Sequence, residues 1–413
     1  MVTTPGSRIV VSGCTDADWP VIQRIDETAF GYTGDAEEDA PDRAVLELDR
    51  SLLAWCDGEA VGHTTAYTLA MSVPGGQVPV AGVTWVSVLA THRRRGVLTE
   101  LMRRQTLDIH DRGEPVAALY ASEPVIYGRF GFGLASRRLS LTVEYGYQQL
   151  HGPIDPALKA RFVTPGQARA DIEHVYAATR AVRAGMLARP QLWWERTVND
   201  PKGRREGASE LRAVVVSDQG GQPRAYALFA SRSDWGDGTV RSEIRVREHG
   251  YLDVAAAHAL WQLLLNVDLV GKVTVWNVAV DDVLLQLLDN PRRARPTLSD
   301  AVYTRLVDLP AALAARAYDL EFHGVVDVVD ELAPWNAGRW ALSLTPDGGQ
   351  CLRTDADPDL AMDVRCLGAG YLGSTSLVTL AAAGQVEQST PGSVAALSRA
   401  LAHEPAAHCP LVF

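Results

Sequence analysis

Little in this sequence suits a secreted scaffold, a metal centre or a membrane span. Cysteine is scarce: Cys14, Cys56, Cys351, Cys366 and Cys409 are five in 413 residues, an odd number widely scattered, which is poor material for a disulfide framework. There is no Cys-x-x-Cys pair and no His-Glu-x-x-His. His408 adjoins Cys409, but the spacing that zinc sites use is missing, so no metal is expected. Long apolar runs are also missing. The stretch 255–270 is broken by His258, Gln262, Asn266 and Asp268, which would be costly in hydrocarbon and suit a core helix, so no membrane partner is expected. The opening Met1-Val2-Thr3-Thr4-Pro5-Gly6 has neither a basic stretch nor an apolar one, which leaves a cytoplasmic location as the expectation. Positive charge is in deficit, with 39 Lys and Arg against 50 Asp and Glu for a net −11. Phosphate binding over a broad surface needs the opposite balance, so nucleic acid is not an expected partner. An acidic field would draw in a cationic ligand, although acidity also serves solubility alone.

What is present is globular. Apolar residues make up 47% and charged residues 22%, with 10 Trp, 12 Tyr and 7 Phe, which excludes disorder, collagen-like sequence and a coiled coil. The length exceeds one ordinary hydrophobic core and implies two or three domains.

The first helix is expected at 16–30, where Val21, Ile22, Ile25, Ala29 and Phe30 recur at helical spacing behind acidic residues. After a polar stretch at 34–39, β-rich segments follow at 51–56, 60–71 and 78–89, with Pro74-Gly75-Gly76 as a turn between the last two. The run 83–88 then passes through Leu89-Ala90-Thr91-His92 and Arg93-Arg94-Arg95-Gly96 into a helical stretch, 97–110, whose Leu98, Leu101, Met102 and Ile109 share one face. A further strand at 116–121 completes a strand, helix, strand crossover.

This order of elements recurs between Leu211 and Leu288, which reads as a second copy of the same fold. At the matching strand-to-helix junction the second copy has Val246-Arg247-Glu248-His249-Gly250-Tyr251. It keeps a glycine but sets Glu248 and Asp253 where an anion would lie, so it is expected to be catalytically silent. Beyond Pro291-Arg292-Arg293-Ala294-Arg295-Pro296 the chain reads as α+β, with strands near 325–329, 340–345 and 350–353 and helices around 377–383 and 393–403.

The segment from Val86, Ser87 and Val88 through Arg93 to Gly96, Val97 and Leu98 resembles the acetyl-CoA motif of the GNAT acetyltransferase superfamily, an Arg/Gln-x-x-Gly-x-Gly/Ala turn between strand and helix. Arg93 and Gly96 match; Leu98 departs from the second small position. A helix N-terminus presents unpaired N–H groups and the positive end of its dipole, so a pyrophosphate fits there. The backbone of Arg94, Arg95, Gly96, Val97, Leu98 and Thr99 is therefore assigned to the pyrophosphate, and Val86 and Val88 to the flanks of the thioester. The resemblance implies that this strand splays from its neighbour and leaves backbone groups free to polarise the acetyl carbonyl.

A second cluster, Ile126-Tyr127-Gly128-Arg129-Phe130-Gly131-Phe132-Gly133, narrows the resemblance to the Eis (enhanced intracellular survival) family. The glycines run G-x-x-G-x-G rather than the dinucleotide fingerprint, and no acidic ribose partner follows. Tyr127 matches the family's general acid, although a packed core tyrosine would read alike. Ser122 and Glu123 match positions that contact CoA. The resemblance also gives the terminal carboxylate, here that of Phe413, the role of general base; from sequence alone a buried structural tail fits as well. A carboxyl with an ordinary pKa of roughly 3.5 is a feeble base for an ammonium near 10, so the role needs a desolvated carboxylate, a relaying water or a neutral amine. For the amine pocket Asp26, Asp35, Glu37, Glu38 and Phe30 are candidates, and Asp26 and Phe30 on the first helix are preferred.

The resemblance implies an α/β (α+β) chain of tandem GNAT domains, at 1–150 and, degenerate, at 151–300, with a sterol-carrier-protein-like domain at 301–413. Leu192-Trp193-Trp194-Glu195-Arg196 heralds the second. It implies an acetyl-CoA cosubstrate without a metal, an amine-bearing small-molecule acceptor such as an aminoglycoside or polyamine, and a homohexamer. A protein lysine acetyltransferase and a non-enzymatic binder of apolar ligands remain as alternatives.

Overall fold

The computed structural model describes residues 8–236 and 239–413. The chain forms two compact units, the first from residues up to Ser136 with Val302–Glu404 and Val412–Phe413, the second from Arg137–Ala301 and Pro405–Leu411.

In the first unit, strands β1 (Ile9–Gly13), β2 (Leu52–Cys56), β3 (Glu59–Val73), β4 (Gly76–Val88), β5 (Val116–Tyr120) and β6 (Gly133–Leu134) share a sheet with the segment Val302–Leu306, which lies between β5 and β6. The expected turn closes β3 onto β4, with Val73 opposite Gly76 and Gly75 at φ 75°. Helix α1 (Trp19–Phe30) buries Ile22 and Ile25 against β2, β3 and helix α3 (Val97–Asp111). Gly62 brings β3 close to α3: a Cβ there would lie 3.0 Å from Val97 and 3.2 Å from Leu101. The polar stretch after α1 is itself helical. Helix α2 (Ala36–Val45) starts at Asp35, whose side chain accepts from the N–H groups of Glu37 and Glu38. The short helix α4 (Pro124–Tyr127) follows β5.

The same unit holds a five-stranded sheet ordered Gly348–Arg353, Gly338–Thr345, Phe322–Val329, Leu360–Asp363, Val386–Gln388. Helix Val364–Gly370 packs on the strand Val302–Leu306, where the Thr304 hydroxyl donates to the Gly368 carbonyl at 2.7 Å and a Cβ at Gly368 would strike the Thr304 carbonyl. Arg305, buried, forks onto both oxygens of Asp330 at 2.9 and 2.8 Å and donates to the Phe130 carbonyl.

The second unit repeats the sheet. Arg212–Ser217, Pro223–Arg232, Glu243–Tyr251 and Lys272–Ala279 stand in the order of β2 to β5, with the last two parallel as β4 and β5 are. Each sheet takes its next strand from a distant part of the chain: Arg137–Glu144 pairs with Lys272–Ala279, as Val302–Leu306 pairs with β5. The chain crosses where the Ala135 and Ser136 N–H groups both donate to the Val302 carbonyl. Set beside the expected spans, Arg137–Glu144 belongs to the second unit, and most of 301–413 folds with the first. No described helix is long and apolar enough to cross a membrane.

Candidate active site

Strand β4 outruns its parallel partner. Pairing with β5 is confined to Val80 with Val116, Ala81 with Ala117 and Gly82 with Ala118, while β4 continues to Val88. On its other side β4 pairs with β3, but the register shifts: Thr84 faces Thr65 and Ser87 faces His63, so Trp85 and Val86 together oppose Thr64. This is a β-bulge, and Trp85 within it sits at φ 51°, a left-handed value that a bulky residue rarely adopts. The bulge bends β4 while its β5 side lacks a strand, which yields the splay expected from the sequence.

After β4 a short 3-10 turn, Ala90–His92, leads to Arg94 at φ 61° and Gly96 at φ 91°. Gly96 is the N-cap of α3 and supplies no side-chain cap; the Glu100 N–H returns to the Gly96 carbonyl at 3.1 Å. The N–H groups of Val97, Leu98 and Thr99 thus begin a helix of 15 residues without a capping side chain. Arg93, Arg94 and Arg95 are exposed around this start. The matching junction of the second unit differs. There Asp253 caps helix Val254–Leu265 by accepting from Ala256 at 2.8 Å. Glu248 is buried and engaged by Arg189, at 2.9 and 2.7 Å, and by the Tyr226 hydroxyl at 2.7 Å. The second copy thus caps with Asp253 the helix start that Gly96 leaves without a capping side chain in the first.

Tyr127 ends α4 and is buried, at 5% exposure, in a cluster with Val83, Met102, Phe130 and Phe132, against which Val86 and Leu98 pack. The bulged strand, the start of α3 and the phenol are thereby brought together. Phe132 meets the Tyr127 ring edge-on at 6.2 Å. Burial pushes the phenol above its ordinary pKa, and a hydrogen bond with the Ser122 side chain pulls it partly back, so Tyr127 holds its proton at neutral pH. Ser122 is exposed, as is Glu123 at the N-cap of α4. Ser87 is buried, and Val88 and Val97 join the cluster around α1.

The chain terminus lies at the same strands. The Phe413 ring is 9% exposed, stands edge-on to Tyr120 at 5.6 Å, and lies where a Cβ on Gly82 would be 3.1 Å from it. Gly82 is the last β4 residue paired to β5 and Tyr120 the last residue of β5, so Phe413 sits where the splay opens.

Asp26 on α1 is buried at 7% exposure and accepts from the Tyr32 hydroxyl at 2.8 Å. Burial raises its carboxyl to about 6, the Tyr32 hydrogen bond opposes that rise, and the nearby charges of Glu27 and Asp39 add to it. Phe30, at the end of α1, is 52% exposed. Sequence reasoning missed Tyr32, Tyr120 and Gly82 as neighbours of these groups. It also missed Trp85, for which a left-handed φ at a tryptophan leaves no sequence signal.

A crossover sheet with a bulged, splayed central strand and an uncapped glycine turn defines a GNAT-type acyltransferase fold. A family described as acetyltransferase (GNAT) domain matches residues 11–135, a second of the same description matches 185–306, and a sterol carrier protein domain matches 309–410. The chain is 44% identical over 377 residues to an uncharacterised N-acetyltransferase of Streptomyces coelicolor, covering 90% of this chain and 91% of that one. It is 33% identical over 385 residues to the N-acetyltransferase Eis of Mycobacterium tuberculosis, again covering 90% and 91%. The crystal structure of Eis1 from Mycobacterium abscessus superposes with a TM-score of 0.82 at 31% identity, over 98% of this chain and 100% of that one. The chain belongs to the Eis family of GNAT N-acetyltransferases, with two GNAT domains and a C-terminal sterol-carrier-like domain.

Proposed function

We propose that this protein transfers the acetyl group of acetyl-CoA to primary amines of polycationic small molecules, aminoglycosides or polyamines among them. The observation that carries the reading is the gap between β4 and β5 beyond Gly82 and Ala118, with Val86 packed against the apolar cluster that holds Tyr127. The fit to a CoA diphosphate rests on the uncapped start of α3 at Gly96, set against the capped start at Asp253. N–H groups of Val97, Leu98 and Thr99 and the guanidiniums of Arg93, Arg94 and Arg95 would hold it. Acetyl-CoA supplies an activated acyl carbon and a thiolate leaving group. The β4 backbone at Val86 and Val88 would lie along the pantetheine and donate to the acetyl oxygen, where donors fixed in advance stabilise developing charge. As the C–N bond forms and the C–S bond breaks, the Tyr127 hydroxyl would pass its proton to the departing sulfur. Its Ser122 hydrogen bond favours the phenolate that remains. The proton lost by the amine would pass to the carboxylate of Phe413, whose ring lies beside Gly82 and Tyr120 where the gap opens. Asp26 would hold a second ammonium of the acceptor, with Ser122 and Glu123 on the cofactor side and Phe30 at the rim.

Titration with acetyl-CoA followed by CoA release over a panel of aminoglycosides, polyamines and lysine peptides tests this. Turnover of the small amines above the peptides is expected. Peptides acetylated in preference would shift the reading to a protein acetyltransferase, and absence of acetyl-CoA binding would overturn it. Deleting Phe413 should lower kcat while acetyl-CoA still binds; an unchanged rate removes the carboxylate from the mechanism.

A further inference from the structure

The bulge that gives β4 its bend holds a tryptophan in a conformation that tryptophan avoids. A residue kept in the left-handed region persists only where its surroundings fix it from several sides. Trp85 is fixed from three. Its indole N–H donates to the Tyr67 hydroxyl at 3.1 Å, its ring meets Trp19 edge-on at 5.9 Å, and its carbonyl lies 3.2 Å from Nδ1 of His63. Only the third contact acts on the backbone of the bulge itself.

His63 is fully buried on β3, directly across from Ser87. A carbonyl oxygen only accepts, so the proton must sit on Nδ1, and this contact fixes the tautomer. The other nitrogen, Nε2, is buried, and among the described residues neither it nor the facing Ser87 hydroxyl has a hydrogen-bond partner. Burial also holds the imidazole neutral, pushing its pKa down to about 4. Burying an imidazole with one nitrogen unsatisfied is costly where an aliphatic side chain would pack without cost. The hydrogen bond that this side chain does make is at Nδ1. Nε2 is sealed from solvent.

We infer that His63 is a positioning residue for acetyl transfer. Its Nδ1–H clamps the Trp85 carbonyl, holds the β4 bulge, and so aims the backbone N–H groups that follow at the acyl oxygen. This rests on the acetyltransferase reading above and deepens it: the donor geometry of the acyl site is set from β3, by a side chain that touches neither cosubstrate.

The test reads polarisation directly. The infrared stretch of the thioester carbonyl in bound acetyl-CoA, carbon-13 labelled at that carbon, is compared among wild type, His63→Asn and His63→Leu, together with kcat and the acetyl-CoA Kd. The wild-type stretch should move to lower wavenumber on binding. His63→Asn keeps an N–H donor at the δ position and should retain the shift and most of the rate. His63→Leu should lose the shift and about tenfold or more in kcat, as the loss of one oriented donor does elsewhere, with Kd changed less than about twofold. Should His63→Leu not fold, the pair Trp85→Gly and Trp85→Gly/His63→Leu replaces it. Glycine takes φ 51° unaided, so removal of His63 should then cost no further shift. A wild-type shift and rate in His63→Leu, or a further loss in the double variant, overturns the inference. Failure of the wild-type protein to bind acetyl-CoA would instead sink the reading on which it rests.

Discussion

At the level of single residues, burial shifts the protonation of two groups of the proposed site. Tyr127 belongs to an apolar cluster that a phenylalanine would fill equally well, so Tyr127→Phe separates packing from chemistry. The variant should fold with stability within about 1 kcal/mol of wild type, because one partly exposed hydrogen bond to Ser122 is lost. Its kcat should drop by about 10²–10⁴, the range for a general acid. A rate near wild type in steady-state CoA-release assays would return Tyr127 to a core role. Asp26 titrates oppositely to an ordinary surface carboxylate. Its folded pKa of about 6 exceeds the model-compound value of 3.8, so the folded protein binds more protons than the unfolded chain between those values. Stability from this group is therefore present below pH 4 and lost as pH rises through 6. Ionisation above pH 6 is what an ammonium needs. KM for a cationic acceptor should rise as pH falls below about 6, and Asp26→Asn should flatten that rise while raising KM at pH 7. An unchanged KM profile in the variant would remove Asp26 from the acceptor site. Tyr127 and Asp26 were singled out in the sequence through the family resemblance, and both prove to be buried. Trp85 and His63 were not, because strain and a tautomer arise only once β3 and β4 are paired out of register.

At the level of elements the two copies form an internal comparison. Helix α3 starts at a glycine with no capping side chain, and helix Val254–Leu265 starts at Asp253, which caps it. Gly96→Asp would place a carboxylate at the start of α3. Asp tolerates the left-handed region better than most residues, so the folding cost should stay near 1 kcal/mol. The anion would compete with the diphosphate for the same N–H groups and dipole, and acetyl-CoA affinity by calorimetry should weaken about tenfold or more. Affinity equal to wild type would mean that the diphosphate lies elsewhere. The sequence displayed this junction because a basic, glycine-bearing turn between strand and helix is a local pattern. It displayed most strands and helices of both copies for the same reason. Helix α2 was hidden: Ala36–Val45 carries three acidic residues in its first turn and Pro41 within, so no apolar stripe marks it. The exchange of strands was hidden more deeply. Val302–Leu306 and Arg137–Glu144 are strands, and nothing local tells a strand which sheet it will join.

For the molecule as a whole, that exchange decides what can fold alone. The first unit is discontinuous, and the segment that closes its main sheet comes from beyond residue 300. Every residue of Val302–Leu306 is buried. It pairs with β5 along its length and with β6 through Tyr303 and Thr304. Arg305 carries the only charge in it, matched by Asp330 and by the carbonyl of Phe130, three residues after Tyr127. Breaking such a buried pair from one side costs about 3–5 kcal/mol, a large part of the 5–15 kcal/mol by which domains are stable. A fragment of residues 1–136, which holds every proposed cofactor contact, would lack this strand and leave the β5 edge bare. It should show no cooperative urea transition and be cut rapidly by protease, whereas the full chain should unfold cooperatively. Arg305→Ala in the full chain should lower the midpoint, with acetyl-CoA restoring part of the loss by mass action. A sigmoidal transition in the 1–136 fragment, with acetyl-CoA affinity intact, would show that the catalytic sheet closes without the strand it borrows from the far end of the chain.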